Sequence, residues 1–284
     1  MEKIKLSTHN VSIEFPGVKA LEDINFDVST GEIRAVVGAN GAGKSTLMKV
    51  FAGANPTYTG EVMLDGRPVE LRTPVDAKKL GIQIVYQEVD TSLVPTLSVA
   101  ENIMLNEMVM TGGVAMNWKH TREEAKKALD RLHVKGINVR TLVQDLSLAQ
   151  KQMVLIARAV RLNCNFLILD EPTSGLDVIK GDNLFKYLRK ECDNRNCTVL
   201  VSSHDLGLLE EYCDQVLLIE DGKLKFFGKI SDFFLQYSYE KIARITFDGL
   251  LSLNNQSDLM SCCPCSIEEN EITIREDYFL KLPV

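Results

Sequence analysis

The stretch "GANGAGKST", Gly38 to Thr46, constrains this chain more than any other. It fits the pattern G-x-x-x-x-G-K-[ST], follows the apolar run "IRAVV" and precedes the helical run "KSTLMKVFAG". Strand, glycine turn and helix in that order form a loop that wraps phosphate. The glycines let the backbone curl until several N–H groups point inward. A helix opening at Lys44 presents the positive end of its dipole to the anion. Lys44 is expected to reach the β- and γ-phosphates of a nucleotide, and Ser45 to hold Mg2+.

Chemistry needs an acidic partner for that loop. "FLILDEP" supplies Asp170 and Glu171 at the end of a second apolar run. Asp170 there is expected to orient the Mg2+ or its water, and Glu171 to polarise an attacking water as general base. His204 ends a third such run, "TVLVSSH", where an imidazole could hydrogen-bond the γ-phosphate. Gln87, after "IQIVY", could ligate Mg2+ or position the water; taken alone it is only a polar strand end.

The rest of the pattern is that of an α/β protein. "IKLSTHNVSIEF" and "ALEDINFDV" alternate as half-buried antiparallel strands do, and "GEVMLDGRPV" reads as a hairpin turning at Asp65-Gly66. From about Glu88 to Leu162 the chain reads as helical, with Ser98-x-x-Glu101 and Thr121-x-x-Glu124 as boxes that open helices. Apolar strands followed by helices resume at Asn165, the mark of a buried parallel sheet. Beyond Lys229 the pattern weakens, although "EITIREDYFLKLP" could form a last strand.

Composition excludes several classes. The 284 residues carry a net charge of −7, which gives no overall attraction to nucleic acid. No run of 18 apolar residues is present, so no span is expected, and the N-terminus lacks the apolar core of an export signal. Seven cysteines are therefore expected to be reduced cytosolic thiols. Three of them, Cys262, Cys263 and Cys265, cluster in "SCCPC". Without a fourth ligand nearby they make a weak zinc site, and a surface or packing role is the preferred expectation.

In this order the motifs resemble the nucleotide-binding domain of an ABC transporter, over about Lys3 to Gly228. Gly38–Thr46 (with Asn40, Gly41, Gly43 and Thr46) is similar to Walker A, Gln87 to the Q-loop, and Asp170–Glu171 to Walker B with its catalytic glutamate. Ser174–Asp177, "SGLD", is similar to the D-loop, and His204 to the switch histidine. Phe15 resembles the aromatic residue that stacks on adenine, though a core strand phenylalanine is the rival reading. The implied fold is a P-loop NTPase with a parallel core sheet, an antiparallel β-subdomain and a helical subdomain at about 88–162, with 229–284 as a C-terminal extension. "FPGVKALEDINFDV", "YQEVDTSLVPTLSVAENIML" and "QMVLIARA" further resemble the first ATPase half of sugar-import ABC proteins. That resemblance implies ATP with Mg2+, transmembrane permease subunits, an extracytoplasmic solute-binding protein acting indirectly, and a peripheral place on the cytoplasmic side of the membrane.

One motif departs from the family. The resemblance implies a signature, Leu-Ser-Gly-Gly-Gln, whose serine contacts the γ-phosphate bound to a second domain. Leu146–Gln150 keeps Ser147, yet Leu148 and Ala149 replace both glycines. No second G-x-x-x-x-G-K occurs, so the chain is expected to be a single-domain relative or a truncated tandem gene. A full hydrolytic set with a poor signature favours pairing with a separate second ATPase domain over a homodimer. The alternatives are a soluble, non-transport ABC ATPase and a regulatory nucleotide-binding protein. The stretch between Lys44 and Ser147 shows no sustained heptads, which argues against a DNA-repair type.

Overall fold

The computed structural model describes residues 3–110, 117–162, 164–195 and 197–237, and the backbone of three later strands. The chain divides into two compact units, Met1–Asp232 and Phe233–Val284. Two sheets make up most of the first. β1 (Lys5–Phe15), β2 (Val18–Ser29), β4 (Thr59–Leu64) and β5 (Arg67–Val69) form an antiparallel sheet in the order β2-β1-β4-β5. As the alternation predicts, β1 and β2 pair antiparallel, from Lys5 opposite Ser29 to Phe15 opposite Val18. Leu64 pairs with Arg67 across Asp65-Gly66, both at positive φ (50° and 71°), which is the two-residue turn that Asp-Gly favours.

The second sheet holds β3 (Ile33–Val37), β6 (Ile82–Val85), β7 (Phe166–Leu169), β8 (Thr198–Ser202), β9 (Gln215–Glu220) and β10 (Lys223–Lys229), in the order β10-β9-β3-β8-β7-β6. The central strands run parallel and are buried on both faces, which their uninterrupted apolar runs require. "QVLLIEDGKLKFFG" is a hairpin, because Asp221 and Gly222 take positive φ and turn β10 back antiparallel as the edge.

Helix α1 (Lys44–Phe51) lies in the core shared by the two sheets. Its Leu47, Met48, Val50 and Phe51 join Val11, Leu21, Ile24 and Phe26 of the antiparallel sheet and Val36, Ile168 and Leu200 of the parallel one. Phe51 meets the Phe26 ring edge-on, 5.6 Å between centroids. α2 (Pro74–Lys79) precedes β6. Between β6 and β7 the described elements are all helical: α3 (Val89–Ser92), α4 (Val99–Met110), α5 (Trp118–Arg131), a 3-10 turn (Val143–Asp145) and α6 (Leu148–Arg161). α7 (Val178–Arg195) and α8 (Leu206–Tyr212) link β7 to β8 and β8 to β9. No helix among the described residues is long and apolar enough to cross a membrane.

Of the two predicted capping boxes in this region, one forms. The Ser98 N–H donates to Glu101 Oε2 at 2.8 Å, and the Glu101 N–H to Ser98 Oγ at 3.3 Å. The Thr121 box does not form. Asn117 caps α5 four residues earlier by accepting the His120 N–H, and Thr121, buried in the first turn, donates its hydroxyl back to the Asn117 carbonyl. Asparagine is as good a cap as threonine, and Glu124 pairs instead with Lys127.

α9 (Ile230–Gln236) spans the division in the chain. The second unit holds β11 (Ile242–Thr246), β12 (Cys265–Glu268) and β13 (Glu271–Arg275), an antiparallel sheet in the order β11-β13-β12. β13 is the strand expected in "EITIREDYFLKLP". Cys262 and Cys263 lie outside the described residues, as does the side chain of Cys265.

Candidate active site

Parallel pairing puts the carboxyl ends of β3, β8, β7 and β6 on one edge, where open α/β sheets hold their ligands. The glycine loop follows β3. Ser202 ends β8 and His204 follows it, Asp170 and Glu171 follow β7, and Gln87 follows β6. Gln87, Glu171 and His204 line one cleft there, together with Ser174 and Asp177.

The loop is shaped by its glycines. Gly43 closes it in the left-handed region (φ 110°) and precedes the first turn of α1. No side chain caps that turn and no acidic residue lies in it, so its N–H groups suit an external anion. A Cβ on Gly43 would meet the Ala20 carbonyl at 2.5 Å, and one on Gly38 the Ile219 carbonyl at 2.2 Å. Gly41 and Asn40 are exposed at the tip. The Lys44 ammonium is held inside the loop by the carbonyls of Gly38 (2.8 Å) and Ala39 (3.1 Å). Ser45 and Thr46 are half-buried in the first turn of α1.

Asp170 and Glu171 are buried, and Ser202 organises both. Its hydroxyl donates to Asp170 Oδ1 at 2.8 Å and accepts the Glu171 N–H at 2.8 Å. Glu171 sits at φ 49°, a left-handed position uncommon for a residue with a side chain. Its Oε1 lies 3.1 Å from His204 Nε2, an ion-pair distance without hydrogen-bond alignment. Burial pushes the Glu171 carboxyl above the usual carboxylate range, opposed by His204 and Lys44 and reinforced by Asp170. A carboxylate with an upward shift and an unused oxygen is suited to take a proton from water.

Mg2+ takes hard oxygen ligands and usually keeps most of its waters, needing one or two protein carboxylates. Asp170, the Ser45 hydroxyl and the Gln87 amide fit that demand. Among the described residues no cluster of three or more His, Cys, Asp or Glu offers a denser metal site.

Two predicted residues stand apart from this cleft. Phe15 ends β1 at the rim of the antiparallel sheet with 40% of its surface exposed, which opposes the core-phenylalanine reading. Ser147 caps α6, accepting the Gln150 N–H while its own N–H goes to Gln150 Oε1. It is exposed, and it lines a different pocket with Ala149, Gln150, Met153, Lys180 and Asn183. Leu148 is 53% exposed and lies against Gly175 of the "SGLD" turn: a Cβ added to Gly175 would sit 3.5 Å from Leu148 Cδ2.

Ser202 was not singled out in the sequence. Its one local signal is a pair of serines, Ser202 and Ser203, closing an apolar strand. The clamp that Ala20 places on Gly43 carried no local signal, because a backbone carbonyl makes the contact.

The model of the ABC transporter family matches residues 21–174, more than half of the chain. The chain belongs to the ABC transporter family. It is 40% identical to the xylose import ATP-binding protein of Thermoanaerobacter pseudethanolicus, over 78% of this chain and 44% of that protein. It is 43% identical to a putative ribose/galactose/methyl galactoside import ATP-binding protein of Agrobacterium fabrum, over 78% and 43%. The chain thus spans less than half the length of the curated relatives it matches. Among solved structures it is similar to cbiO1 of Clostridium perfringens, part of an ABC transporter complex (28% identity, TM-score 0.69, 83% of this chain and 92% of that one). It also resembles a dimeric ATP-binding cassette in a post-hydrolysis state bound to ADP and Pi (25% identity, TM-score 0.70, 79% and 98%). These neighbours share the P-loop NTPase fold of this family member, with its parallel core, antiparallel sheet and helical layer.

Proposed function

We propose that this family member is the ATP-binding and ATP-hydrolysing subunit of an ABC transporter that imports a sugar or related small solute. The observation that carries the reading is the single strand-end edge bearing the Lys44 loop, Glu171, His204 and Gln87. The nucleotide class follows from the loop, and the solute class from the import proteins it resembles.

In this reading residues 1–228 are the nucleotide-binding domain, with its helical subdomain at about 88–162, and 229–284 form an extension. Gly38, Asn40, Gly41, Gly43 and Thr46 offer backbone N–H groups to the phosphates, Lys44 neutralises the outer ones, and Phe15 stacks on the base. Ser45, Gln87 and Asp170 would hold Mg2+, which when bound supplies charge neutralisation between the phosphates. Gln87 and His204 fix the attacking water and the γ-phosphate, and Glu171 accepts the proton from that water. Ser147 serves the phosphate of a second domain. The partners are permease subunits at the cytoplasmic side of the membrane, a second ATPase domain, and indirectly an extracytoplasmic solute-binding protein.

A heterodimer is favoured over a homodimer because Leu148 and Ala149 put Cβ atoms where a close backbone approach wants glycine. Direct binding of ATP with Mg2+ to the purified chain, lost in Lys44→Ala, tests the nucleotide reading; equal binding by both chains sinks it. Hydrolysis by the chain alone that rises with protein concentration to ~1 s⁻¹ or more would sink the need for a different partner.

A further inference from the structure

At the opposite edge of the parallel sheet, far along β7 and β8 from Glu171 and His204, two thiols meet. Cys164 precedes β7, Cys197 precedes β8, and their sulfurs are 3.9 Å apart. The strands are locked in register beside them, Phe166 opposite Thr198, with the Thr198 N–H donating to the Asn165 carbonyl at 2.7 Å. Backbone pairing that begins just after each cysteine therefore keeps the two sulfurs close. A pocket of 460 Å³ reaches them, walled by Glu191 and Arg195 of α7. Cys164 is half-buried and Cys197 is 6% exposed, and the pocket gives a small reagent access to both. Cys192 is fully buried and directs its thiol to the Glu32 carbonyl, and Cys213 is buried elsewhere.

We propose that Cys164 and Cys197 are a redox-reactive dithiol that closes reversibly into a disulfide when a peroxide or a disulfide-forming oxidant enters this pocket. With a peroxide, one of the two sulfurs attacks an oxygen as its thiolate, the O–O bond breaks, and a sulfenic acid and hydroxide form. The other sulfur then attacks the oxidised one, the S–O bond breaks, the S–S bond forms and water leaves, while the two thiol protons end on the two oxygens. The bond would close a loop of 33 positions containing Glu171, the "SGLD" turn and α7, which constrains the unfolded chain. The inference needs no transporter role for the protein and stands apart from the nucleotide site.

The full chain is treated with diamide or hydrogen peroxide, digested without reductant, and mapped by mass spectrometry. The expected product is a Cys164–Cys197 cross-link that dithiothreitol reverses and that Cys164→Ser abolishes. The urea midpoint of the oxidised chain should exceed that of the reduced chain, with no such difference in Cys164→Ser. Recovery of Cys164 and Cys197 unlinked from an oxidised sample, or linkage of either to another cysteine, overturns the proposal.

Discussion

Ser202 Oγ donates to Asp170 Oδ1 at 2.8 Å, so the side chain that ends β8 fixes the carboxylate that ends β7. Because the same oxygen accepts the Glu171 N–H, one hydroxyl sets two acidic residues. Ser202→Ala would leave a buried carboxylate oxygen and a buried N–H without their partner. The expected cost is about 1–3 kcal/mol of stability, read as a lower urea midpoint. The Mg2+ concentration needed for half-maximal nucleotide binding should rise as Asp170 loses its anchor. An unchanged Mg2+ requirement would mean that Asp170 is not a ligand.

Glu171→Gln separates binding from chemistry. Loss of the base should reduce phosphate release at least about 10²-fold while ATP binding is kept. Turnover equal to that of the original chain would remove Glu171 from the role of base.

The same substitution has a pH signature in the nucleotide-free protein. Burial raises the Glu171 carboxyl in the folded state, so folding favours its protonated form. The stability this group contributes is fully present below its unfolded pKa, about 4.3, and is lost as pH rises through the higher folded value. Glutamine avoids that loss. Glu171→Gln should therefore melt higher than the original at neutral pH, with the gap closing near pH 4. A gap that widens as pH falls would show that the carboxylate is net stabilised, with His204 and Lys44 outweighing burial.

Phe15→Ala should weaken adenine-nucleotide binding about tenfold, the scale of one aromatic–base stack. Because Phe15 is 40% exposed, the melting temperature should barely move. A large loss of stability with unchanged affinity would mark Phe15 as a packing residue.

Replacing Leu148 and Ala149 together by glycine should move two measurements in opposite directions. Hydrolysis by the chain alone should rise, since glycine admits a phosphate close to Ser147. Stability should fall by ~1–2 kcal/mol, because two glycines enter the first turn of α6 and Leu148 leaves Gly175. If hydrolysis does not rise, the signature is not the limiting element.

The parts of this structure that a local pattern encodes were legible in advance. Alternation exposed the antiparallel pair β1 and β2, Asp65-Gly66 the hairpin, and Ser98-x-x-Glu101 the start of α4. The boundary of α5 was misread because Asn117 and Thr121 cap equally well, and only packing decides that Thr121 is inside. The bridge from Ser202 to Asp170 was hidden because it depends on β8 lying next to β7, an order that the chain does not spell. The meeting of Cys164 and Cys197 depends on the same adjacency.

The carbonyl clamps on the glycine loop tie its shape to a strand outside its own sheet. Ala20 of β2 closes on Gly43, Ile219 of β9 closes on Gly38, and the Gly222 N–H donates to the Ala42 carbonyl while its own carbonyl takes the Glu22 N–H. Two sheets thus grip one loop from both sides, and the strand that grips it at Ala20 begins just past the turn after Phe15. The path from Phe15 to that grip is short, one turn and the first residues of β2. A substitution that displaces the start of β2 is therefore expected to disturb the Gly43 end of the loop, even though it lies in the other sheet.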